Sequence, residues 1–272
     1  MDARHHGAMP EPLSWVWLCL VEVLAVFYVL AVIRIRKKRR PWPWVRTICW
    51  FGGLAAITAA MAGPIADRTP IDFRMHMLAH LLLGMLAPLL LVVAMPITVA
   101  LRAVPPSIGR AIVRDLRARP LRFLAHPITA AMLDMGGLWA LYTTGLSAAM
   151  HRHAWLDLGI HLHILIAGYL FTAAMISRDP ISHRPSRLCR VVTLVLALAA
   201  HAILAKYLYR HPPAGVPREQ AQSASLLMYY GGDAVDAALI ILFCRQWFVA
   251  GQRRTEPLDD RSASLAPSVL SR

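Results

Sequence analysis

Four histidines and two aspartates, His76, His80, His161, His201, Asp233 and Asp236, stand inside stretches of chain that are otherwise apolar enough to cross a bilayer. Ionisable side chains at membrane depth cost free energy, and they are kept where they bind a metal, relay protons or contact a cofactor. His76 and His80 are spaced i, i+4 and share a helix face, with Met75, Met77 and Met85 close by in the chain. Asp233 and Asp236 are spaced i, i+3, and Tyr229 continues their stripe. Imidazole with thioether is a copper-compatible donor set, methionine sulfur favouring Cu(I). A neighbouring carboxylate can orient a ligating histidine through its other ring nitrogen. The same residues allow two other chemistries. His80 with His161 or His201 could hold a haem as axial ligands. The acids Asp134, Asp233, Asp236 and Glu22 could relay protons or ions, as in a copper permease. Any one of these histidines alone is explained by an interhelical hydrogen bond; the group together points to a metal or cofactor site.

The elements that must position these residues follow from composition. The chain is 57% hydrophobic and 16% charged, against about 25% charged in a soluble domain. Its apolar residues come in blocks separated by basic patches. A helix needs roughly 20 residues to cross the hydrocarbon core, and seven segments qualify or nearly so: Leu13 to Ile33, Val45 to Met61, His76 to Met95, Pro127 to Leu146, Trp155 to Ile176, Val191 to Tyr209 and Leu226 to Phe248. The expected fold is therefore an all-α, integral membrane bundle of seven helices spanning 13–249. It is flanked by a short extracytoplasmic segment, 1–12, and a polar, disordered cytoplasmic tail, 250–272. The start has no basic region of the kind that opens a secretory leader, and the first apolar run is long enough to remain as an anchor.

Charge sets the orientation. Of the 29 lysines and arginines, 22 lie in, or within one turn of, the first, third and fifth loops and the C-terminal tail. Basic loops stay in the cytoplasm, which puts the N-terminus outside and the C-terminus inside. The net charge of +14 is then a topology signal facing anionic membrane lipid rather than a nucleic-acid footprint. At about 1.5 Å per residue, His76, His80, His161, His163, His201, Asp233 and Asp236 all fall in the outer half of the bilayer. His161 and His163 point to nearly opposite sides of one helix, so one of them is expected in a common site. Asp134 lies nearer the midplane, Glu22 is buried by the same threading, and Lys206 is placed to reach outward.

Between the third and fourth spans, residues 107–124 alternate Arg110, Arg114, Arg117 and Arg122 with Ile108, Ile112, Leu116 and Leu121. They read as an amphipathic helix on the inner leaflet, interrupted at Pro120; it serves as a lipid-facing tether or as a docking surface. Cys19, Cys49, Cys189 and Cys244 form no CxxC pair and read as packed hydrophobes, not as a disulfide framework or zinc site. There is no phosphate loop, no nucleophile paired with a base at accessible depth and no soluble catalytic domain, so an enzyme is not expected.

The run His76-Met77-Leu78-Ala79-His80-Leu81-Leu82-Leu83-Gly84-Met85 is followed by Ala87-Pro88-Leu89, Pro96-Ile97-Thr98 and Leu101-Arg102. Together they resemble the CtaG family of polytopic cytochrome c oxidase assembly factors. Further matches come in order: Pro41-Trp42-Pro43-Trp44, His126-Pro127, His161-Leu162-His163 with Gly168 and Phe171, Asp179-Pro180, and Tyr230-Gly231-Gly232-Asp233. The resemblance runs from about Trp42 to Phe248, and its specificity lies in the order and spacing of motifs that are individually weak. It implies a bacterial plasma-membrane protein needed to build a haem–copper oxidase, handling copper for it, with oxidase subunits and a copper donor protein as partners. It carries over His76, His80, His161, His163 and Asp233; where relatives hold a glutamate, this chain has the shorter Asp236. The adjacent His5 and His6 are read as incidental.

The topology has a direct check. In a background freed of the native cysteines, Thr69→Cys should react with a membrane-impermeant maleimide added outside intact cells, and Arg117→Cys should react only after permeabilisation. The reverse pattern inverts the bundle.

Overall fold

The computed structural model describes residues 11–150, 152–176 and 185–255. Residues 1–10, 151, 177–184 and 256–272 lie outside it; most of the proposed N-terminal segment, with His5 and His6, the Asp179-Pro180 motif and nearly all of the polar tail therefore fall beyond the described residues.

Every regular element among the described residues is helical. The first is α1, Glu11–Lys37, closing on Arg34, Arg36 and Lys37, where cations favour a helix C-terminus. Next comes α2, Trp44–Met61. The third apolar block is not one regular helix. It runs as α3 (Phe73–His80), a π-helical turn (Leu81–Leu86), α4 (Ala87–Ala94) and α5 (Pro96–Ala103). The basic stretch forms α6 (Pro106–Leu116) and α7 (Arg119–Leu124). After it come α8 (Pro127–Thr143), α9 (Leu146–Met150), α10 (Ala154–Ile176), α11 (Arg187–Arg210) and α12 (Arg218–Thr255).

Six of these blocks are long and apolar enough to cross a membrane: Ser14–Lys37, Trp44–Arg68, Phe73–Ala103, Ala154–Ile176, Arg187–Arg210 and Arg218–Val249. The described residues are thus all-helical, with the spans of a multi-pass membrane protein. The remaining expected span differs from its sequence boundaries. Thr144 is extended at φ −116°, ψ 177°, and ends α8. That leaves 17 residues, a rise of about 26 Å against a core of about 30 Å. Leu146 begins the separate short helix α9 instead.

Other boundaries shift for readable reasons. The third span was expected to end at Met95 and give way to a loop. Met95 does break the helix, at φ 57°, ψ 60°, because Pro96 has no N–H to continue the ladder. Proline is also well suited to the first turn of a new helix, so α5 follows at once and packs against α1. The same principle relocates the interruption in the amphipathic segment. Pro120 sits in the first turn of α7, and the break falls before it at Arg117 and Ala118.

The third span is the central post. It packs against α2, α10 and α12, and it is the most buried of the six candidate spans. Its start is fixed by Asp72, whose carboxylate accepts from the Arg74 backbone N–H at 2.9 Å and caps α3. Arg74 also donates from its side chain, which holds the Asp72 carboxyl below its ordinary range. Gln220 on α12 donates to the same carboxylate at 3.3 Å. At the other end of the bundle Gln246 of α12 donates to the Ile176 carbonyl of α10. Trp139 Nε1 of α8 donates to the Ala200 carbonyl of α11 at 3.2 Å, so α8 is held inside the bundle despite its length.

Near the first basic loop, Tyr28 stacks on Trp50 with ring centroids 4.8 Å apart, and Trp42 Nε1 donates to the Tyr28 hydroxyl at 3.1 Å. Arg46 lies over the Trp42 ring at 4.8 Å. This aromatic clamp fixes α1 to α2.

The π-helical turn meets α10 where backbones touch. A Cβ at Gly168 would run into the Gly84 carbonyl oxygen, and it would also stand 3.1 Å from Pro88 Cγ. Backbone cannot yield as a side-chain tip can. Gly168→Ala should therefore overpack the centre of the bundle by about 1–3 kcal/mol. The expected readout is a lower melting temperature in detergent by size-exclusion after heating; an unchanged value would show that α10 can move aside freely.

Candidate functional site

Two apolar layers bracket the functional residues. One contains Phe73, Met77, Leu141, Met150, Leu208 and Met228. The other contains Leu89, Ala130, Met175, Leu194, Leu239 and Phe243. Between them lies a cavity of about 30 Å3, lined by His80, Met85, Asp134, Met135, His201 and Asp236, with Gly84 and Thr172. That volume holds a water or a single ion.

His80 and His201 are its centre. They are 8% and 3% exposed, and their ring centroids stand 6.4 Å apart with planes inclined by 28°. Both nitrogens of His80, and Nε2 of His201, have no hydrogen-bond partner. Thr47 Oγ1 and Trp50 Nε1 share that condition elsewhere, but among the described residues three such atoms gather at one cavity here. Each unsatisfied buried group costs about 1–3 kcal/mol. Glycine makes the arrangement possible, since a Cβ at Gly232 would occupy the position of the His201 ring.

His76 is set differently. Its Nε2 lies 3.0 Å from the Tyr142 hydroxyl, its ring stacks on Phe73 at 5.6 Å, and the same hydroxyl donates to Met77 Sδ at 3.6 Å. Tyr142 also meets His80 edge-on at 6.4 Å. His161 donates from Nδ1 to the Asp157 carbonyl at 2.9 Å, with Asp157 Oδ1 at 3.4 Å. That contact fixes its tautomer and leaves Nε2 as the basic nitrogen. His76, His161 and His201 are all near enough to act electrostatically on the His80 ring, but of the four only His80 and His201 line the cavity.

Several residues stand apart from it. His163 is exposed and donates from Nε2 to the Leu133 carbonyl at 3.1 Å, the interhelical bond that accounts for a lone membrane histidine. Glu22 is exposed on α1, a helix packed on α2 and α5, which corrects its expected burial: among the described residues nothing covers it. Tyr229 lies under the Lys206 ammonium, 5.3 Å from its ring, in a separate groove with Tyr209 and Tyr230. Met75 is half-buried and does not line the cavity. Asp233 is exposed, close enough to His201 to interact electrostatically, while Asp236 is buried in the cavity wall. Asp236, three residues further along the helix, is the carboxylate turned inward.

Among the described residues, no group of three or more histidine, cysteine, aspartate or glutamate side chains is close enough to hold a metal ion. The cavity offers two imidazoles with orphaned nitrogens, two carboxylates and the thioethers of Met85 and Met135. His80 and His201, whose ring centroids stand 6.4 Å apart, are the residues that would hold an ion there. Neutral imidazole and thioether suit copper, so the residues present fit it.

Tyr142, Met135 and Thr172 were not singled out from sequence. A signal for Tyr142 exists: Asp134, Leu138 and Tyr142 recur at i, i+4, i+8 and form one face of α8.

A family model described as cytochrome c oxidase caa3 assembly factor (Caa3_CtaG) matches residues 26–250. Uncharacterized proteins of Mycobacterium bovis and Mycobacterium tuberculosis are each 32% identical to the chain over 187 residues, and one of Mycobacterium leprae is 30% identical over the same length. The match covers 66% of this chain and 28% of each relative, so the chain spans under a third of the length of these curated relatives. No solved structure matches.

If the orphaned imidazoles serve function rather than folding, apolar replacements of similar size should not harm stability. His80→Leu and His201→Leu are expected to leave the melting temperature unchanged or raise it. Tyr142→Phe should lower it, since a buried hydrogen bond is lost. A drop of several degrees in both leucine variants would assign the histidines to the framework.

Proposed function

The chain belongs to the cytochrome c oxidase caa3 assembly factor family, and from that premise we propose that it assists the building of a haem–copper oxidase by handling copper at His80 and His201. In this reading it is a non-catalytic, seven-span protein of the bacterial plasma membrane, with copper as its cargo and oxidase subunits and a copper donor as its partners. The observation that carries the proposal is the gathering of three unpartnered imidazole nitrogens at one small cavity.

Each residue has a part. His80 and His201 bind the ion as neutral ligands, which spares the membrane interior further charge. Asp236 and Asp134 offset the positive charge of the ion from the cavity wall, where an uncompensated cation would be costly. Met85 and Met135 add soft donors that favour the reduced ion. His161, with Nδ1 tied to Asp157, keeps Nε2 as its basic nitrogen and serves as a relay position. A haem reading finds less support, because a cavity of about 30 Å3 gives a macrocycle no room between the rings.

The charge pattern favours α8 as the seventh crossing. It leaves the basic α6–α7 stretch and ends at a connection with few charges, and positive loops are retained on the cytoplasmic side. Seven crossings put the termini on opposite sides, N outside and C inside, and place the cavity nearer the outer face.

Elemental analysis of the purified protein tests the proposal. The wild type is expected to carry copper at about one ion per chain, with no Soret absorption. His80→Ala and His201→Ala should each lose most of it and lower oxidase activity in cells at near-normal protein abundance. A wild type without copper after loading, or variants that keep it, would sink the assignment, and a Soret band would return the pair to haem.

A further inference from the structure

The segment between α5 and α8 is chemically unlike the rest of the chain. In 107–124 there are five arginines, Arg110, Arg114, Arg117, Arg119 and Arg122, and a single acid, Asp115. None of the residues of α6 or α7 is buried. The two helices pack chiefly through their ends, α6 on α5 and α7 on α8. Arg110, Arg114 and Arg117 recur at i, i+4 and i+7, which places them along one side of the chain. Together with Leu101, Gly109 and Val113 they line an open groove of about 780 Å3. The Arg114–Asp115 contact, at 3.3 Å between two exposed side chains, is too weak to neutralise this face.

Apolar side chains accompany the charge. Ile108 is 50% exposed, Leu121 42% and Phe123 68%. Exposed arginine beside exposed aliphatic and aromatic groups is costly in water and suited to a bilayer surface, where stems and rings enter the acyl boundary and guanidinium groups meet phosphate. The helices on either side, α5 and α8, belong to the membrane bundle, so α6 and α7 are tethered at that surface at both ends.

We propose that the groove formed by Leu101, Gly109, Arg110, Val113, Arg114 and Arg117 is a binding site for the headgroup of anionic phospholipids. Guanidinium groups supply paired N–H donors to phosphate oxygens. The excess of five arginines over one acid sets a preference for headgroups of net negative charge over zwitterionic ones. Leu101 and Val113 give the glycerol and upper acyl chain an apolar wall. The site is remote from the His80–His201 cavity in sequence and chemistry and does not depend on copper.

Native mass spectrometry of the full-length chain, with phosphatidylglycerol or phosphatidylcholine added, tests this. The wild type should retain phosphatidylglycerol over phosphatidylcholine. The triple variant R110Q/R114Q/R117Q should lose that preference, with phosphatidylglycerol affinity falling on the order of tenfold or more, since each basic residue near an anionic surface contributes about fivefold. The corresponding triple lysine variant should restore most of the binding, which separates lost charge from lost structure. Equal retention of the two lipids by the wild type, or undiminished phosphatidylglycerol on the glutamine variant, overturns the proposal. If the glutamine variant keeps its lipid but no longer co-purifies with oxidase subunits, the face docks protein and the lipid assignment is wrong.

Discussion

The structure is organised around an unmet demand: two imidazole rings held between apolar layers with three nitrogens unpartnered. At about 1–3 kcal/mol for each buried unsatisfied group, this demand is a large fraction of the 5–15 kcal/mol by which folded domains are stable. The framework must therefore be rigid enough to keep the rings from turning towards backbone carbonyls. Close backbone packing at two glycines supplies this. Gly232 lets the α12 backbone close over the His201 ring, and Gly168 lets α10 close on the Gly84 carbonyl.

The π-helical turn at Leu81–Leu86 is the local device that serves this packing. A π turn accommodates one residue more than an α turn and often marks a functional site. On the third span, His80, Gly84, Met85 and Leu89 all line the cavity, a spacing of four to five residues that a uniform α-helix would rotate partly away. The widened turn also alters which carbonyls are bonded within the helix, at the level where Gly168 lies against the Gly84 oxygen. One irregularity thus aims His80, keeps Met85 on the same wall and brings α10 into backbone contact.

How much of this was legible follows from the kind of information each feature needs. The apolar blocks, the basic loops and the polar residues within the blocks are local properties, and the family could be named from motif order alone; the match over 26–250 bears that out. Helical periodicity put His76 and His80 on one face, and both are buried. Periodicity could not tell that Tyr142 would take up His76 while His80 stayed unpartnered, because that depends on the rotation of α8. The same limit applied to Asp233 and Asp236. They lie on one stripe by spacing, yet the offset of about 60° between positions i and i+3 is enough to leave Asp236 in the cavity wall and Asp233 on the exposed side. Glu22 was misplaced because threading assigns depth, and burial also requires a neighbour. The shortened α8 came from Thr143 and Thr144, whose hydroxyls bond back to the Trp139 and Ala140 carbonyls. Such back-bonding competes with helix continuation.

A site with two strong donors is suited to passing an ion on. Closed sites of four ligands hold metals as structural elements, and open coordination positions are what distinguish sites that exchange ligands. No group of three histidine, cysteine, aspartate or glutamate side chains is assembled among the described residues, so under the copper reading the two imidazoles would be the strong ligands, and the Met85 and Met135 thioethers weaker ones that an incoming donor or acceptor could displace. The carboxylates on the cavity wall would then supply charge compensation without the directional bonds of a full ligand shell. His161, half-buried with one nitrogen committed to Asp157, and Asp233, exposed beside His201, mark the sides from which a partner's ligands could reach the ion. An incomplete shell is a defect in a storage protein. Under the copper reading, a site with two strong donors would instead let the ion move on to a centre with a fuller ligand set.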